Sequence, residues 1–268
     1  MVRRLGLIAG GGDFPILFAG TAKQKNISLV CAALKNEADP RLEELVDKIY
    51  WVDLGEVKKV IEVFKREKIK KAVMLGKVTK TRFFKDRPPV DDSANLVLKL
   101  AKDKRDLTLL KTAAMVLGFS GIKLISSLVC LEDHLAKKGC LTRKYPTKQE
   151  WGDIYFGYKI ARKMAGLDIG QTVVVKDKAI LAVEAIEGTD SAIKRGGKLG
   201  NGGAVVVKAA RPRQDLRFDI PVIGPHTIQS LIDSEASVFA LEKGKTLITE
   251  KETLTRMADK ANISVVVI

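Results

Sequence analysis

Residues 4–15 have the sequence RLGLIAGGGDFP, and this stretch decides the fold class of the N-terminal half. The apolar run Arg4–Ala9 is long enough for one buried strand, and three glycines end it. Asp13 can then cap a helix, and Pro15 suits the first turn of that helix. Helical spacing follows over residues 14–25. The stretch therefore predicts a strand, a tight glycine turn and a helix.

Strand and helix patterns continue to alternate up to about residue 126. The clearest helical stripe is formed by Val57, Val60, Ile61 and Phe64. Further strand candidates are residues 28–33, 48–52, 72–75 and 121–126. Such alternation predicts a parallel sheet with helices on both faces. We therefore expect an α/β protein in which residues 1–136 form a Rossmann-like nucleotide-binding domain.

The pattern changes after about residue 135. Residues 137–150 are polar and lack an apolar stripe, which predicts a linker. Residues 151–268 mix strand and helix patterns, including a hairpin whose strands, 172–175 and 179–184, flank Lys176-Asp177-Lys178. We expect residues 151–268 to form a C-terminal mixed α/β domain.

The chain is strongly basic, since its 268 residues carry a formal net charge of +15 and its isoelectric point is near 9.7. Such a charge favours anionic partners: nucleic acid, phospholipid surfaces or phosphorylated small molecules. The alternative is a solvated Lys/Glu-rich surface of the kind found in thermophile proteins. Charge alone does not choose among these partners.

The cysteines and the hydropathy bear on the cellular compartment. Cys31, Cys130 and Cys140 are far apart and form no CxxC pair, which favours a reducing cytoplasm over a disulfide framework. The apolar run at the N-terminus is too short for a signal peptide. No stretch is long and apolar enough to span a bilayer, so we expect any membrane contact to be peripheral.

Two glycine turns follow predicted strands and are candidates for phosphate binding. Gly10, Gly11 and Gly12 end the first strand, and Gly76-Lys77 ends the fourth. Glycines allow the backbone to approach a ligand closely, and a helix N-terminus offers unpaired N–H groups to a phosphate. Both turns should open at the same edge of the sheet, where Lys77 could meet a diphosphate. The alternative is a tight strand–helix turn with an exposed lysine, and neither GxGxxG nor a P-loop motif is present.

Residues 77–92 form a basic segment that contains Phe83-Phe84. Aromatic rings among cations can stack on bases, dip into a membrane interface or cover an acyl chain, although we favour packing of these rings back onto the domain. The charge and this segment make a non-enzymatic nucleotide- or nucleic-acid-binding protein the alternative function, yet no recognised RNA or DNA motif is present. An enzyme with a nucleotide cofactor, such as a dehydrogenase or a methyltransferase, is disfavoured, because the second strand ends Ala32-Ala33-Leu34-Lys35 without an acidic residue for a ribose.

The densest charged feature is the segment RPRQDLRFDIP at residues 211–221. If residues 214–220 are extended, Asp215, Arg217 and Asp219 lie on one face, and the apolar residues between them lie on the other. Two carboxylates near a diphosphate could bind Mg²⁺ or activate water, and the arginine could hold the substrate. The alternative is a half-buried strand with a solvated salt-bridge face.

Acidic residues also cluster after a strand that is predicted to end near Glu184. Glu187 and Asp190 lie between this strand and a predicted helix, a position where functional groups are common. The alternative is ordinary N-capping by Thr189 or Asp190. Both interpretations place these side chains at the start of the helix.

Lys208 and the two histidines are weaker candidates. Lys208 ends an apolar strand, where it could bind a phosphate or simply lie on the surface. His134 and His226 belong to no HxH or HExxH pattern, so histidine-based metal chemistry is not expected.

Several segments, taken together and in order, resemble the LpxI family. They are residues 6–15, 75–78, 105–110, 167–172, 182–190, 215–221 and 223–224. Each segment is weakly specific, but the ordered set spans nearly the whole chain.

The resemblance implies hydrolysis of UDP-2,3-diacylglucosamine to UMP and 2,3-diacylglucosamine 1-phosphate, a step of lipid A biosynthesis. It also implies dependence on Mg²⁺, and two domains that hold the substrate in the crevice between them. Catalysis and lipid binding would fall to the C-terminal domain. The critical aspartate of the family corresponds to Asp219.

The residue patterns and the resemblance together give the predicted site. The predicted catalytic residues are Asp219, Asp190, Glu187 and Arg217, of which Asp219 and Asp190 would bind Mg²⁺. The predicted substrate-binding residues are Gly10, Gly11, Gly12, Asp13, Phe14, Gly76, Lys77, Asp106, Gln171, Thr189 and Lys208. The expected partners are the UDP-linked diacylated glucosamine and the inner membrane surface, with no specific nucleic acid; a homo-oligomer is left open.

Overall fold

A computed structural model describes residues 4–78, 90–103, 106–211, 215–218 and 220–268, without the side chains of residues 106 and 107. The chain divides into two compact units. The first unit comprises residues 1–132 together with Leu216–Phe218. The second comprises residues 133–215 and 219–268.

The first unit is built on a five-stranded parallel sheet. Its strands are β1 (Arg4–Ala9), β2 (Ser28–Leu34), β3 (Lys48–Val52), β4 (Lys71–Leu75) and β5 (Lys123–Leu124). Their order in the sheet is β3-β2-β1-β4-β5, so the direction of winding reverses between β1 and β4. In open α/β sheets this reversal point is where ligands bind.

Helices and short 3₁₀ turns connect the strands of the first unit. The helices are α1 (Phe14–Gln24), α2 (Val57–Arg66), α3 (Asp92–Leu100), α4 (Asp106–Phe119) and α5 (Leu128–Leu131). One 3₁₀ turn is Pro40–Glu44, and a second, Glu132–His134, follows α5 where the first unit gives way to the second. The predicted stripe of α2 forms as expected, because Val60, Ile61 and Phe64 are buried in the core and Val57 packs against it. Burial of a side chain of this size stabilises the fold by about 1.5–3 kcal/mol.

The second unit contains a six-stranded mixed sheet. Its strands are β6 (Gly139–Cys140), β7 (Thr172–Lys176), β8 (Ala179–Val183), β9 (Val205–Lys208), β11 (Val238–Leu241) and β13 (Ser264–Val267), in the order β6-β13-β11-β9-β7-β8. β9, β11 and β13 are parallel, whereas β6 and β7 run antiparallel to them. β10 (Val222–Ile223) and β12 (Leu247–Ile248) form a separate parallel pair.

The helices of the second unit are α6 (Lys148–Gly166), α7 (Thr189–Gly200), α8 (Pro225–Asp233) and α9 (Lys251–Lys260). The predicted fold class is confirmed: a Rossmann-like parallel sheet is followed by a mixed α/β unit. Among the described residues, no helix is both long and apolar enough to cross a membrane.

The predicted hairpin of the second unit is confirmed. Asp177 and Lys178 connect β7 to β8 with φ angles of 52° and 58°, the left-handed values that a two-residue hairpin turn requires. The buried Asp153 carboxylate accepts both turn amides, at 3.0 Å from Asp177 N and 2.7 Å from Lys178 N. These bonds compensate the strain of two non-glycine residues in this conformation.

The segment predicted as a linker, residues 137–150, is built into the second unit. It contains β6, which pairs with β13, and the start of α6. The Ser264 hydroxyl donates to the Lys144 carbonyl (2.7 Å), and Thr142 Oγ1 accepts the Val265 amide (2.9 Å). A capping box of Thr147 and Glu150 then begins α6.

The extended conformation considered for residues 214–220 is not formed at residues 216–218, which make a turn. The Arg217 guanidinium lies 4.9 Å from the centroid of the Phe218 ring, so these neighbours do not alternate between opposite faces. Phe218 packs against the apolar core of the first unit, which supplies a reason for the turn. Gln214 and Asp219 lie outside the described residues.

Candidate functional site

The first candidate edge lies at the reversal point of the first sheet, where the two glycine turns touch. The Gly10 amide donates to the Leu75 carbonyl at 2.8 Å. A Cβ atom on Gly10 would lie 2.6 Å from the Lys77 carbonyl oxygen, and one on Gly76 would lie 2.6 Å from the Gly10 carbonyl carbon. Both glycines are therefore required by contact between two backbone segments.

This contact changes how a phosphate could bind at the turn. The amides of Gly10 and Gly11 already donate to the carbonyls of Leu75 and Lys77. The donors suited to a phosphate are instead the amides of Gly12 and of Phe14 and Ile16 in the first turn of α1, since the first N–H groups of a helix have no intrahelical acceptor and Pro15 has no N–H group. Gly12, with φ of 90°, is exposed and has open space around it.

The remaining predicted residues of the first unit differ in exposure. Asp13 occupies the N-cap position of α1 but makes no side-chain cap, which corrects the expected capping. Its carboxylate is 99% exposed and lies 3.6 Å from Arg41 Nη2. Phe14 is half-buried and Lys77 is exposed. Asp106 begins α4, and its side chain lies outside the described part of the structure.

The second candidate edge lies in the second unit, at the carboxyl end of β9. Lys208, the last residue of β9, pairs in register with Thr172, the first residue of β7. The Lys208 ammonium donates to the Thr189 hydroxyl at 2.7 Å, and that hydroxyl donates to Glu184 Oε1 at 2.8 Å. Glu184 Oε2 accepts a hydrogen bond from the backbone amide of Gln171 at 3.1 Å. The structure thus joins three predicted residues, Lys208, Thr189 and Gln171, in one network through Glu184.

The network is charged and largely shielded from solvent. Lys208 is only 9% exposed, and a buried ammonium is stable only when it is hydrogen-bonded and electrostatically balanced. Burial raises the pKa of Glu184, but the Lys208 charge and the hydrogen bonds from Thr172, Thr189 and the Gln171 amide outweigh it. The pKa of Glu184 is therefore lower than usual. Glu184 is an anion that faces a cation across one hydroxyl group.

Sequence reasoning did not select Glu184 as a functional residue. Thr189 lies only five residues after Glu184, but Gln171 lies 13 residues before it and Lys208 lies 19 residues beyond Thr189, so spacing alone does not connect the network. The sequence feature that could have identified Glu184 is its position directly after β8, within a segment that resembles the LpxI family. The same position directed attention to Glu187 instead.

Asp190 lies where the N-termini of α7 and α8 approach each other. Its Oδ2 atom is 3.3 Å from His226 Nδ1. Its Oδ1 atom is buried and has no hydrogen-bond partner among the described residues. Both helices have a glycine N-cap, Gly188 and Gly224, which supplies no side-chain cap. Such helix ends attract anions.

Glu187 is engaged in a different contact. Its Oε1 atom accepts Arg195 Nη2 at 2.6 Å, and its Oε2 atom accepts the Ala185 amide at 3.2 Å. Hydrogen bonds from the backbone and from Arg195 lower the pKa of Glu187. The structure therefore separates Glu187, which closes the loop before α7, from Asp190, whose Oδ1 atom has no partner in the described part of the chain.

Of the two predicted Mg²⁺ ligands, only Asp190 lies within the described ranges. Asp219 lies outside the described residues, and within the described ranges no group of three or more His, Cys, Asp and Glu residues is arranged to hold a metal ion. Mg²⁺ is commonly held by one or two carboxylates together with waters and substrate phosphates. The buried, unpartnered Oδ1 atom of Asp190 fits one such ligand position.

The fold and these two edges define a two-unit α/β protein with a Rossmann-like first unit. Family models identify it further: the LpxI N-terminal domain matches residues 4–134, and the LpxI C-terminal domain matches residues 137–266. The chain belongs to the LpxI family. This confirms the resemblance, together with the expectation of an enzyme that hydrolyses a phosphoric anhydride.

A curated relative is similar over nearly the whole length. The UDP-2,3-diacylglucosamine pyrophosphatase LpxI of Caulobacter vibrioides is 28% identical over 273 residues, which cover 98% of this chain and 97% of the relative. Among solved structures, phosphoribosylglycinamide synthetase from Anaerococcus prevotii matches 65% of this chain and 31% of its own, with 15% identity and a TM-score of 0.26. A TM-score this low supports no statement about function.

Proposed function

We propose that this chain hydrolyses UDP-2,3-diacylglucosamine to UMP and 2,3-diacylglucosamine 1-phosphate, in lipid A biosynthesis. The observation that carries the proposal is the match of both LpxI domains in order, together with a relative of that activity along 98% of the chain. The reaction adds water across one P–O–P linkage, so that two phosphate monoesters leave and one phosphorus–oxygen bond is broken.

In the first unit, we assign binding of the uridine phosphate part to the reversal point of the sheet. Gly12 and the first turn of α1 would donate amides to a phosphate, with Lys77 as a nearby cation on the second glycine turn. Gly10, Gly11 and Gly76 would support this site indirectly by holding the two turns together. Asp13, Phe14 and Asp106 remain predicted substrate-binding residues.

In the second unit, we assign the chemistry to the edge at the carboxyl end of β9. Mg²⁺, held by Asp190 and Asp219, would offset negative charge on the diphosphate and lower the pKa of a bound water. Asp219 would position the attacking water. Arg217, which belongs to the first unit, remains a predicted catalytic residue. Lys208, held by Thr189, would stabilise the charge that develops on the diphosphate oxygens. Gln171 carries a buried Oε1 atom without a partner in the described ranges. This oxygen would accept a hydrogen bond from a donor group of the substrate.

We also propose that the protein works in the cytoplasm, in peripheral contact with the inner membrane. The formal net charge of +15 supports this proposal, because anionic lipid surfaces attract cationic proteins. The acyl chains of the proposed substrate would lie in that membrane.

The test is release of UMP from UDP-2,3-diacylglucosamine by purified protein, with Mg²⁺ and with a chelator. Asp219→Ala is measured beside wild type. Asp233→Ala is the matched control, since Asp233 ends α8 and pairs with Gln229 on the same helix. We expect Mg²⁺-dependent release that Asp219→Ala reduces by about 100-fold or more, as for loss of a group that stabilises the transition state.

Three results would each refute a different part of the proposal. Release that survives full removal of divalent metal would refute the role of Mg²⁺. Release that is unchanged in folded Asp219→Ala would refute the role of Asp219. A folded wild type that releases no UMP would refute the proposed reaction itself.

A further inference from the structure

We propose that Glu184 is a positioning residue for Lys208. Its carboxylate fixes the Thr189 hydroxyl in the orientation that accepts the Lys208 ammonium. The inference rests on the proposed function, in which Lys208 acts on the diphosphate. It adds a residue, Glu184, that neither the sequence patterns nor the predicted site included.

The direction of the hydrogen bonds supports this role. A hydroxyl group has one proton to donate, and an ammonium group can only donate. Because Thr189 Oγ1 donates its proton to Glu184 Oε1 (2.8 Å), its lone pairs are turned towards Lys208 Nζ at 2.7 Å. Loss of the carboxylate would free the hydroxyl to turn its proton elsewhere, for example towards Thr172 Oγ1 at 3.5 Å.

Glu184 is itself held on several sides. Its amide donates to the Thr172 carbonyl (2.8 Å), and its Oε2 atom accepts the Gln171 amide (3.1 Å). The neighbouring backbone is also tightly packed, since a Cβ atom on Gly170 would lie only 2.0 Å from the Glu184 carbonyl oxygen. The carboxylate is therefore anchored before any ligand arrives, as preorganised charge stabilisation requires.

Charge balance gives a second reason for the carboxylate. Lys208 is 9% exposed, so its ammonium has lost most of its contact with water. The Glu184 carboxylate lies one hydroxyl group away and offsets the positive charge of this ammonium. Replacement of Glu184 by glutamine would remove this anion while it preserved the size of the side chain.

The experiment compares Glu184→Gln, Glu184→Asp and Thr189→Val in the UMP-release assay, each with a thermal unfolding curve. The matched control is Asp153→Asn. Asp153 is also a buried carboxylate of the second unit that accepts two backbone amides, but at the hairpin turn on the opposite end of β7. We expect Glu184→Gln to lower kcat by about 10- to 100-fold with a smaller effect on KM, as for loss of precise positioning. Glu184→Asp should recover part of that loss, and Asp153→Asn should change stability rather than kcat.

A double substitution distinguishes positioning from independent action. In a Lys208→Met background, Glu184→Gln should lower kcat by no more than about threefold further, because residues that act through one another are not additive. Losses that multiply in the double variant, or a folded Glu184→Gln with wild-type kcat, would overturn the inference. If Glu184→Gln does not fold, the kcat of Thr189→Val tests the inference instead. This variant removes the hydroxyl that links Glu184 to Lys208 and leaves both charged side chains in place. A wild type that releases no UMP would be a failure of the proposed function and not of this inference.

Discussion

Gly11 and Lys77 exchange a reciprocal pair of backbone hydrogen bonds, each 2.8 Å long, across the point where the first sheet reverses its winding. These bonds join the turn after β1 to the turn after β4. The geometry of this proposed phosphate-binding edge therefore depends on two segments that are more than sixty residues apart in the sequence. Substitutions at these turns should therefore change the free energy of unfolding.

Gly76→Ala should destabilise the junction. Gly76 has a φ of 98°, and an added Cβ atom would lie 2.6 Å from the Gly10 carbonyl carbon. We expect the free energy of unfolding to fall by about 1–3 kcal/mol, the range for strained backbone positions. The matched control is Gly20→Ala, which lies within α1 with open space around it and should be neutral or stabilise by about 0.5–1 kcal/mol. Equal unfolding curves for the two variants would contradict the prediction.

Glu67 should make the first unit sensitive to acid. Hydrogen bonds from Lys48 and Tyr50, with a further one from Arg4, lower the pKa of Glu67 from 4.5 to about 2, although burial opposes the shift. Because the folded-state pKa is the lower one, Glu67 contributes stability above pH 4.5 and loses it as the pH falls towards 2.

The measurement is urea unfolding as a function of pH for wild type and Glu67→Gln. The two proteins should differ most near neutral pH and converge towards pH 2. Glu62→Gln, on the exposed side of α2, serves as the control and should follow wild type. A constant difference between wild type and Glu67→Gln from pH 6 to pH 2 would refute the assignment.

The cysteines should differ in reactivity. Burial raises the pKa of Cys31 to about 12 and that of Cys130 to about 11, so neither thiol forms an appreciable thiolate near neutral pH. Cys140 is only partly buried. We expect a thiol reagent at pH 8 to modify Cys140 first and all three cysteines only after denaturation. Rapid modification of three thiols in the folded protein would show that the first unit opens readily.

Gly170→Ala should disturb the second candidate edge. The added Cβ atom would overlap the Glu184 carbonyl oxygen at 2.0 Å, so the loop before β7 must shift. We expect a loss of stability of about 1–3 kcal/mol, as for overpacking, together with a fall in kcat for UMP release. Gly118→Ala, in α4 with open space around the glycine, is the control for the substitution itself. An unchanged kcat and an unchanged melting temperature would contradict the packing described.

Local patterns predicted most of the fold. The alternation of strands and helices gave the Rossmann-like first unit, and the Lys176-Asp177-Lys178 turn gave the hairpin, because both depend on periodicity and turn chemistry within a short segment. The alternation of charged and apolar residues over 214–220 suggested a strand, but residues 216–218 form a turn. An apolar residue at every second position is also compatible with a turn, and Phe218 packs on a distant core that a local pattern does not reveal.

For the second candidate edge, single residues were predicted but the connection between them was not. Thr189, Lys208 and Gln171 were named as candidates, whereas the carboxylate that joins them was not, since its contacts depend on the pairing of β7 with β8 and β9. The glycines after β1 were expected to approach a ligand. Two of them, Gly10 and Gly11, instead contact the turn after β4.

The most direct test of the proposed reaction is the identity of the products made by purified wild-type protein from UDP-2,3-diacylglucosamine in the presence of Mg²⁺. Phosphorus NMR can follow the loss of the diphosphate and the appearance of each phosphate monoester. The proposed function predicts UMP and 2,3-diacylglucosamine 1-phosphate in equal amounts. Release of UDP in place of UMP, or an intact substrate after incubation with folded protein, would contradict it.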